Sequence, residues 1–128
     1  MSTKKKIKAP YLDIDIYHSR LYLFFTGDAA REVDGSNGYN YERNGATAFI
    51  FPDKYSGCFG IQILKYDDLD CTHSTKSKYI AALAHEALHI VAFIYKHIGE
   101  DYPGSEQSNY LLEYIVEWLI RETKILEI

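Results

Sequence analysis

Residues 75–98 read TKSKYIAALAHEALHIVAFIYKHI, and this stretch decides the fold. Its apolar residues recur at intervals of three and four, the spacing of one face of an α-helix. They are Ile80, Leu83, Ala84, Ala87, Leu88, Val91, Ala92, Ile94, Tyr95 and Ile98. Ser74 or Thr75 can cap the start of this helix, and Gly99 follows its end as a C-cap glycine would. We therefore predict a long helix from about Thr75 to Ile98.

A second helical pattern follows a short loop at residues 100–104. It begins near Ser105 and continues to about Leu126. Its apolar residues share one face, which we expect to point toward the core. They are Leu111, Leu112, Ile115, Trp118 and Leu119. Because the loop is short, the two helices are expected to pack antiparallel.

The first half of the chain has the pattern of strands instead. Residues 11–17 alternate apolar and polar, which predicts a half-buried strand, and apolar runs at 21–26, 46–51 and 58–64 predict three more. The first two strands flank a turn at His18-Ser19-Arg20 and are expected to form a hairpin. Residues 27–45, rich in glycine and polar residues, predict a loop that can hold a helical turn at 28–33. The expected fold class is α+β, a small, mostly antiparallel sheet packed on two long helices.

Length and charge restrict the possible functions. A chain of 128 residues fits one domain, which we expect over residues 1–128, and it can fold without a disulfide or a metal. The net charge of −4 argues against a nucleic-acid-binding protein. Residues 1–9 carry four lysines and are expected to be a flexible basic tail. The alternative for that tail is a contact with nucleic acid or an acidic partner.

The expected cellular location follows from the lack of a membrane-spanning segment and of a secretory signal. No apolar run approaches 18 residues, so no membrane span is expected, and no apolar segment follows the lysines as in a secretory signal. Cys58 and Cys71 lack metal-binding spacing, and their thiols are expected to be reduced. We therefore expect a cytoplasmic protein, and the sequence leaves the oligomeric state open.

His85-Glu86-Ala87-Leu88-His89 fits the pattern His-Glu-x-x-His within the first predicted helix. Residues four apart lie above one another on a helix, so both imidazoles can bind one tetrahedral Zn²⁺. Glu86 lies on the adjacent flank, where its carboxylate can take a proton from a water on the metal. The apolar flanks predict that the helix is buried, where unsatisfied histidines would be costly. The alternative is a pair of histidines with local hydrogen bonds and a solvated glutamate.

A catalytic zinc ion normally has a third protein ligand, most often a Glu from the following helix. The candidates are Glu106, Glu113 and Glu117, with an aspartate as a further alternative. If the first helix is straight, an antiparallel partner comes level with His89 around Glu113. Glu106 requires an earlier end to the first helix, or splayed helices. His97, at the helix end, is expected to interact with the helix dipole rather than with a metal.

The segment from Ala84 to His89, followed by Glu106-x-x-x-Tyr110-Leu111-Leu112-x-Tyr114, resembles a family of small phage and prophage zinc metallopeptidases of the zincin type. More distantly, it is similar to the ImmA/IrrE-like metallopeptidases. The resemblance covers the helical half well and the first half loosely. It implies a zincin-like domain in which Glu106 is the third zinc ligand. It also implies that Tyr110 can hydrogen-bond a ligand or stabilise an oxyanion.

The leading functional hypothesis is a zinc-dependent metallopeptidase of phage or prophage origin in the cytoplasm of a bacterial host. Its substrate would be a peptide or protein, bound along an exposed sheet edge. One alternative is a zinc-stabilised protein that binds a host factor without turnover, and another is a zinc-free α+β domain. In so short a chain the cleft must be shallow, or be walled by residues 27–45 or by a second subunit. Tyr95, Tyr102, Tyr110 and Tyr114 are candidate cleft or interface residues.

Overall fold

The computed structural model describes residues 7–26, 46–68, 75–100 and 106–128. Four strands and two long helices form an α+β fold, as the sequence predicts. The strands are β1 (Tyr11–Ile14), β2 (Ser19–Phe24), β3 (Thr47–Ile50) and β4 (Cys58–Gln62), and the helices are α1 (Lys76–His97) and α2 (Glu106–Thr123). The predictions for the glycine-rich loop, Cys71 and Tyr102 lie outside the described residues.

The strands form one sheet in the order β1-β2-β4-β3. The β1–β2 and β3–β4 pairs are antiparallel, as expected, whereas β2 and β4 pair in parallel. Among the described strands, β1 and β3 therefore lie at the two edges. Gly60 on β4 faces Phe49 on β3, and a Cβ atom at Gly60 would lie 2.4 Å from the Phe49 ring. The absence of a side chain at Gly60 lets the ring of Phe49 lie against the sheet.

The turn between β1 and β2 lies earlier than predicted. The strand expected at 11–17 ends at Ile14, and residues Asp15–Tyr17 form a 3-10 helix. His18 takes the left-handed conformation (φ 50°), and β2 already begins at Ser19. The predicted turn at 18–20 is therefore wrong for its last two residues, because apolar alternation continues through a short 3-10 helix without a break.

Helix α1 has the predicted ends. The Thr75 hydroxyl accepts a hydrogen bond from the Lys78 N–H, which makes Thr75 the N-cap. Gly99 follows the helix with φ 77°, the left-handed conformation that a C-terminal glycine supplies. Within the helix, the Tyr79 hydroxyl donates to the Leu64 carbonyl, which joins α1 to the segment after β4. Local capping chemistry thus fixes where this helix begins and ends.

Helix α2 ends at Thr123, three residues before the predicted Leu126. The Thr123 hydroxyl donates to the Leu119 carbonyl, and Lys124 adopts a left-handed conformation (φ 55°) that stops the helix. Ile125 then turns back into the core within a 3-10 helix. No helix in the described ranges is long and apolar enough to cross a membrane.

The sheet carries a hydrophobic cluster on each face. The larger one joins the sheet to both helices and includes Leu21, Leu23, Phe59, Ile61, Leu83, Ala87, Ile90, Ile94, Ile115 and Leu119. The smaller one, on the opposite face, consists of Tyr22, Phe24, Phe49 and Phe51. Ile7 and Ala9 pack against this aromatic cluster, and residues 1–6 of the predicted basic tail lie outside the described residues.

Candidate metal centre

His85, Glu86 and His89 bring their ligand atoms together on α1. One ligand atom from each residue lies within 4.8 Å of the others. The Nε2 atoms of His85 and His89 are 3.2 Å apart. Two nitrogens bound to one tetrahedral zinc ion at about 2.05 Å would be about 3.3 Å apart. The donor set and the spacing of the two imidazoles therefore fit a shared metal ion such as zinc, and the same distance also suits a hydrogen bond between the two rings.

Burial separates the three side chains. Glu86 is 8% exposed, whereas His85 and His89 lie on the exposed side of the helix. Ala84 and Leu88 are exposed as well, so the expectation that the apolar flanks bury the histidines is wrong. Apolar residues lie on more than one side of α1 in this region, and only one side packs in the core, so some of them are exposed. Of the three side chains, only Glu86 is therefore buried deeply enough to need a partner for its polar group.

The carboxylate of Glu86 accepts a hydrogen bond from the backbone N–H of Ala48 on β3. Burial raises the pKa of Glu86, while His85, His89 and the Ala48 N–H act in the opposite direction. Glu86 is thus a buried carboxylate with a fixed donor on one side and two imidazoles beside it.

The Ala48 N–H also shows where Glu86 lies in the sheet. Backbone groups alternate in direction along a strand. Phe51 N donates to the Cys58 carbonyl, so odd-numbered residues of this segment point their backbone groups toward β4. Those of Ala48 and Ile50 then point away from β4, off the outer edge of β3. The candidate metal centre therefore lies beside that edge.

An aromatic row continues from the centre along α1. The His89 ring stacks on Phe93, with ring centroids 6.2 Å apart and an interplanar angle of 21°. Phe93 in turn stacks on Phe59 of β4, and Phe59 meets His97 edge to face. These contacts connect the exposed His89 ring through Phe93 to Phe59 of the core. Sequence reasoning missed Phe93, although its position four residues after His89 was a usable signal.

The predicted third ligands are not members of this group of three residues. Glu106 and Glu113 are exposed residues of α2, and neither belongs to the group formed by the described His85, Glu86 and His89. Glu117 forms an ion pair with Arg121 (3.1 Å). The identity of the third ligand remains a prediction.

The tyrosines expected near the centre have surroundings of their own. Tyr110 and Tyr114 line a groove of about 540 Å³ between α2 and residues 13–17, which form the end of β1 and the 3-10 helix after it. Strand β1 and strand β3 are separated by three strand spacings, about 14 Å. Tyr95, expected in a cleft, is only 4% exposed, and its hydroxyl hydrogen-bonds that of Tyr17. Tyr95 is therefore a core residue, and the oxyanion role of Tyr110 remains a prediction.

Comparisons of the chain with protein-family models, with curated proteins and with solved structures found no match.

Proposed function

We propose that this protein is a zinc-dependent metallopeptidase in which His85 and His89 hold the metal and Glu86 is the general base. The observation that carries the proposal is the pair of imidazole nitrogens 3.2 Å apart beside a buried carboxylate. Zinc held there would supply Lewis-acid activation of water and of a carbonyl group. The resemblance to small phage zincins supports the same chemistry and a cytoplasmic location in a bacterial host.

Glu86 is suited to move a proton. The residue is 8% exposed, and its carboxylate accepts a hydrogen bond from the Ala48 N–H. In the proposed reaction this carboxylate takes a proton from the attacking water and delivers it to the nitrogen that leaves. Because Ala48 belongs to the sheet, the orientation of the base is set by β3 and not by α1 alone.

The outer edge of β3 supports a peptide as the substrate. Among the described strands, none pairs with this edge, and the backbone groups of Ile50 and the carbonyl of Ala48 point off it, where an extended peptide can pair with them. A strand added there would pass directly beside Glu86. The added strand would supply the backbone hydrogen bonds that hold a peptide, so the edge favours a peptide over a small substrate.

Zinc analysis and two variants test the proposal. We expect about one zinc ion per reconstituted chain, and His89→Ala should lose it. Glu86→Gln should keep zinc and reduce cleavage of a fluorogenic peptide library by about 10²–10⁴-fold. His97→Ala, which changes an exposed histidine of the same helix outside the group, is the control and should leave zinc content unchanged. A wild-type protein without zinc, or a Glu86→Gln variant that cleaves normally, contradicts the proposal.

The third ligand needs a separate comparison. The family resemblance favours Glu106. The expected antiparallel packing of two straight helices favours Glu113, because it places this residue level with His89. Zinc titration of Glu106→Gln and Glu113→Gln will show which change weakens binding. Glu122→Gln, near the end of α2, is the matched control. Equal affinity in all three variants would exclude both predicted ligands.

A non-catalytic binding role is the second candidate, and the groove at Tyr110 and Tyr114 favours it. These two side chains are 63% and 48% exposed, and Ile16 beside them is 79% exposed. Exposed tyrosine is typical of protein interfaces. If a biological effect of this protein survives Glu86→Gln but is lost in Tyr110→Ala, binding rather than cleavage is the function.

A further inference from the structure

A second cavity lies on the same side of the sheet as the candidate metal centre. It measures about 220 Å³, lies between the end of β3, the turn before β4 and the last turns of α1, and is open to solvent on one side. Its apolar walls are Ile50, Phe51, Phe59 and Phe93. A 150 Å³ apolar cavity is known to hold a benzene molecule, so this cavity is large enough for a phenyl group.

The cavity adjoins the metal centre through a shared wall. Phe93 lines the cavity on one side and stacks on the His89 ring on the other, with ring centroids 6.2 Å apart. Ile50, another wall residue, lies two positions along β3 from Ala48, whose N–H binds Glu86. Two residues of a strand span about 6.6 Å. The side chain of a peptide residue next to the reacting bond can therefore reach the cavity.

The charges at the rim indicate a neutral occupant. Asp53 contributes a negative charge and Lys96 a positive one, so neither sign dominates. The remaining lining residues are mainly apolar, namely Ile50, Phe51, Phe59 and Phe93, together with Ser56, Gly57 and His97. Such a surface favours aromatic and large aliphatic side chains and penalises a buried charge.

The direction of β3 determines which residue of the peptide enters. The strand runs from Ala48, beside Glu86, toward Ile50 at the cavity. An added strand is most stable when antiparallel to its neighbour, and it then passes the cavity before it reaches Glu86. Its residues at the cavity are therefore on the N-terminal side of the bond beside Glu86.

We propose that this cavity, walled by Ile50, Phe59 and Phe93, binds an aromatic or large aliphatic side chain at one of the two residues that precede the scissile bond. The inference rests on the proposed peptidase function. It adds a specificity that the metal centre alone does not supply.

A position-scanning peptide library tests the inference with the zinc-loaded wild-type protein. We expect kcat/KM to be at least about tenfold higher for Phe or Leu than for Ala or Asp at one of those two positions. Ile50→Ala should reduce this preference several-fold. Ile16→Ala, a change of an exposed isoleucine outside the cavity, should leave it intact.

A binding measurement separates failure of the inference from failure of the proposed function. Fluorescence anisotropy with Glu86→Gln should show tighter binding of Phe-containing than of Ala-containing peptides, and Ile50→Ala should reduce the difference. Cleavage without this preference, or a preference confined to residues after the bond, overturns the inference and leaves the peptidase proposal standing. Absence of cleavage and zinc overturns the proposed function, whereas preferential binding would still identify the cavity as a side-chain site.

Discussion

At the scale of single residues, two features depend on contacts between distant parts of the chain, which composition does not reveal. Gly60 is one of them, because the Phe49 ring occupies the space where its side chain would be. Glu86 is another, since its one backbone donor comes from a strand nearly forty positions away. Both residues depend on the exact register of β3, so a small displacement of that strand would disturb the aromatic cluster and the candidate base together.

Gly60→Ala should lower the free energy of unfolding by about 1–3 kcal/mol, because its Cβ would lie 2.4 Å from the Phe49 ring. Urea denaturation measures the loss. Adding Phe49→Leu should make the alanine less costly, since the smaller side chain vacates that space. Gly99→Ala is the control: no atom lies within 4 Å of its Cβ, and its cost arises from a φ of 77°. A Gly60→Ala protein as stable as wild type would contradict the packing argument.

At the scale of elements, the helices were predictable and the order of the strands was not. The spacing of apolar residues and the caps at Thr75 and Gly99 are local signals, and they gave the ends of α1. The parallel pairing of β2 with β4 depends on contacts between distant segments, which alternation does not encode. The exposure of His85 and His89 was missed for a similar reason, because the side of α1 that packs on the sheet is chosen by the tertiary structure.

Tyr79 of α1, whose hydroxyl donates to the Leu64 carbonyl after β4, should make the free energy of unfolding depend on pH. Burial raises the pKa of Tyr79 to about 12. In the unfolded chain a tyrosine loses its proton at about pH 10. Between these values the unfolded state binds fewer protons than the folded state, so the stabilisation contributed by this residue is present below pH 10 and declines as the pH rises to about 12.

Tyr79→Phe removes both the proton and the hydrogen bond to Leu64. At neutral pH we expect the variant to be less stable than wild type by about 1 kcal/mol. This difference should shrink as the pH rises from about 10 to about 12, because only the wild type loses stability through this group. Urea denaturation at several pH values measures it. A difference that stays constant over that range would contradict the assignment.

At the scale of the whole molecule, the candidate centre is an addition to a fold that is stabilised by its own core. The larger cluster joins all of the long elements, and none of its residues is a ligand of the metal group. Both histidines are exposed and lie outside this core. The third ligand could not be fixed from the sequence, because it depends on how α2 lies against α1.

Zinc should therefore stabilise a protein that is already folded. Circular dichroism after chelation should show the helices intact, and zinc at about 100 times its Kd should add about 2.7 kcal/mol and raise the Tm. His85→Ala should abolish the increase without unfolding the protein, because this side chain is outside the core. A protein that unfolds on chelation, or a Tm that does not respond to zinc, would contradict this prediction.

The parallel pairing of β2 with β4 has a consequence for the order of folding. Arg20 pairs with Cys58, and this contact closes a chain segment of 38 residues. Closing so long a segment costs conformational entropy before the strands form stabilising contacts. A helix such as α1 forms from contacts between neighbouring residues and can form earlier. The two histidines can thus adopt their spacing early, while Glu86 gains its donor from Ala48 only after the β3–β4 hairpin has docked. Under the proposed function, the two imidazoles would therefore acquire the spacing of metal ligands before the carboxylate of Glu86 is oriented as a base.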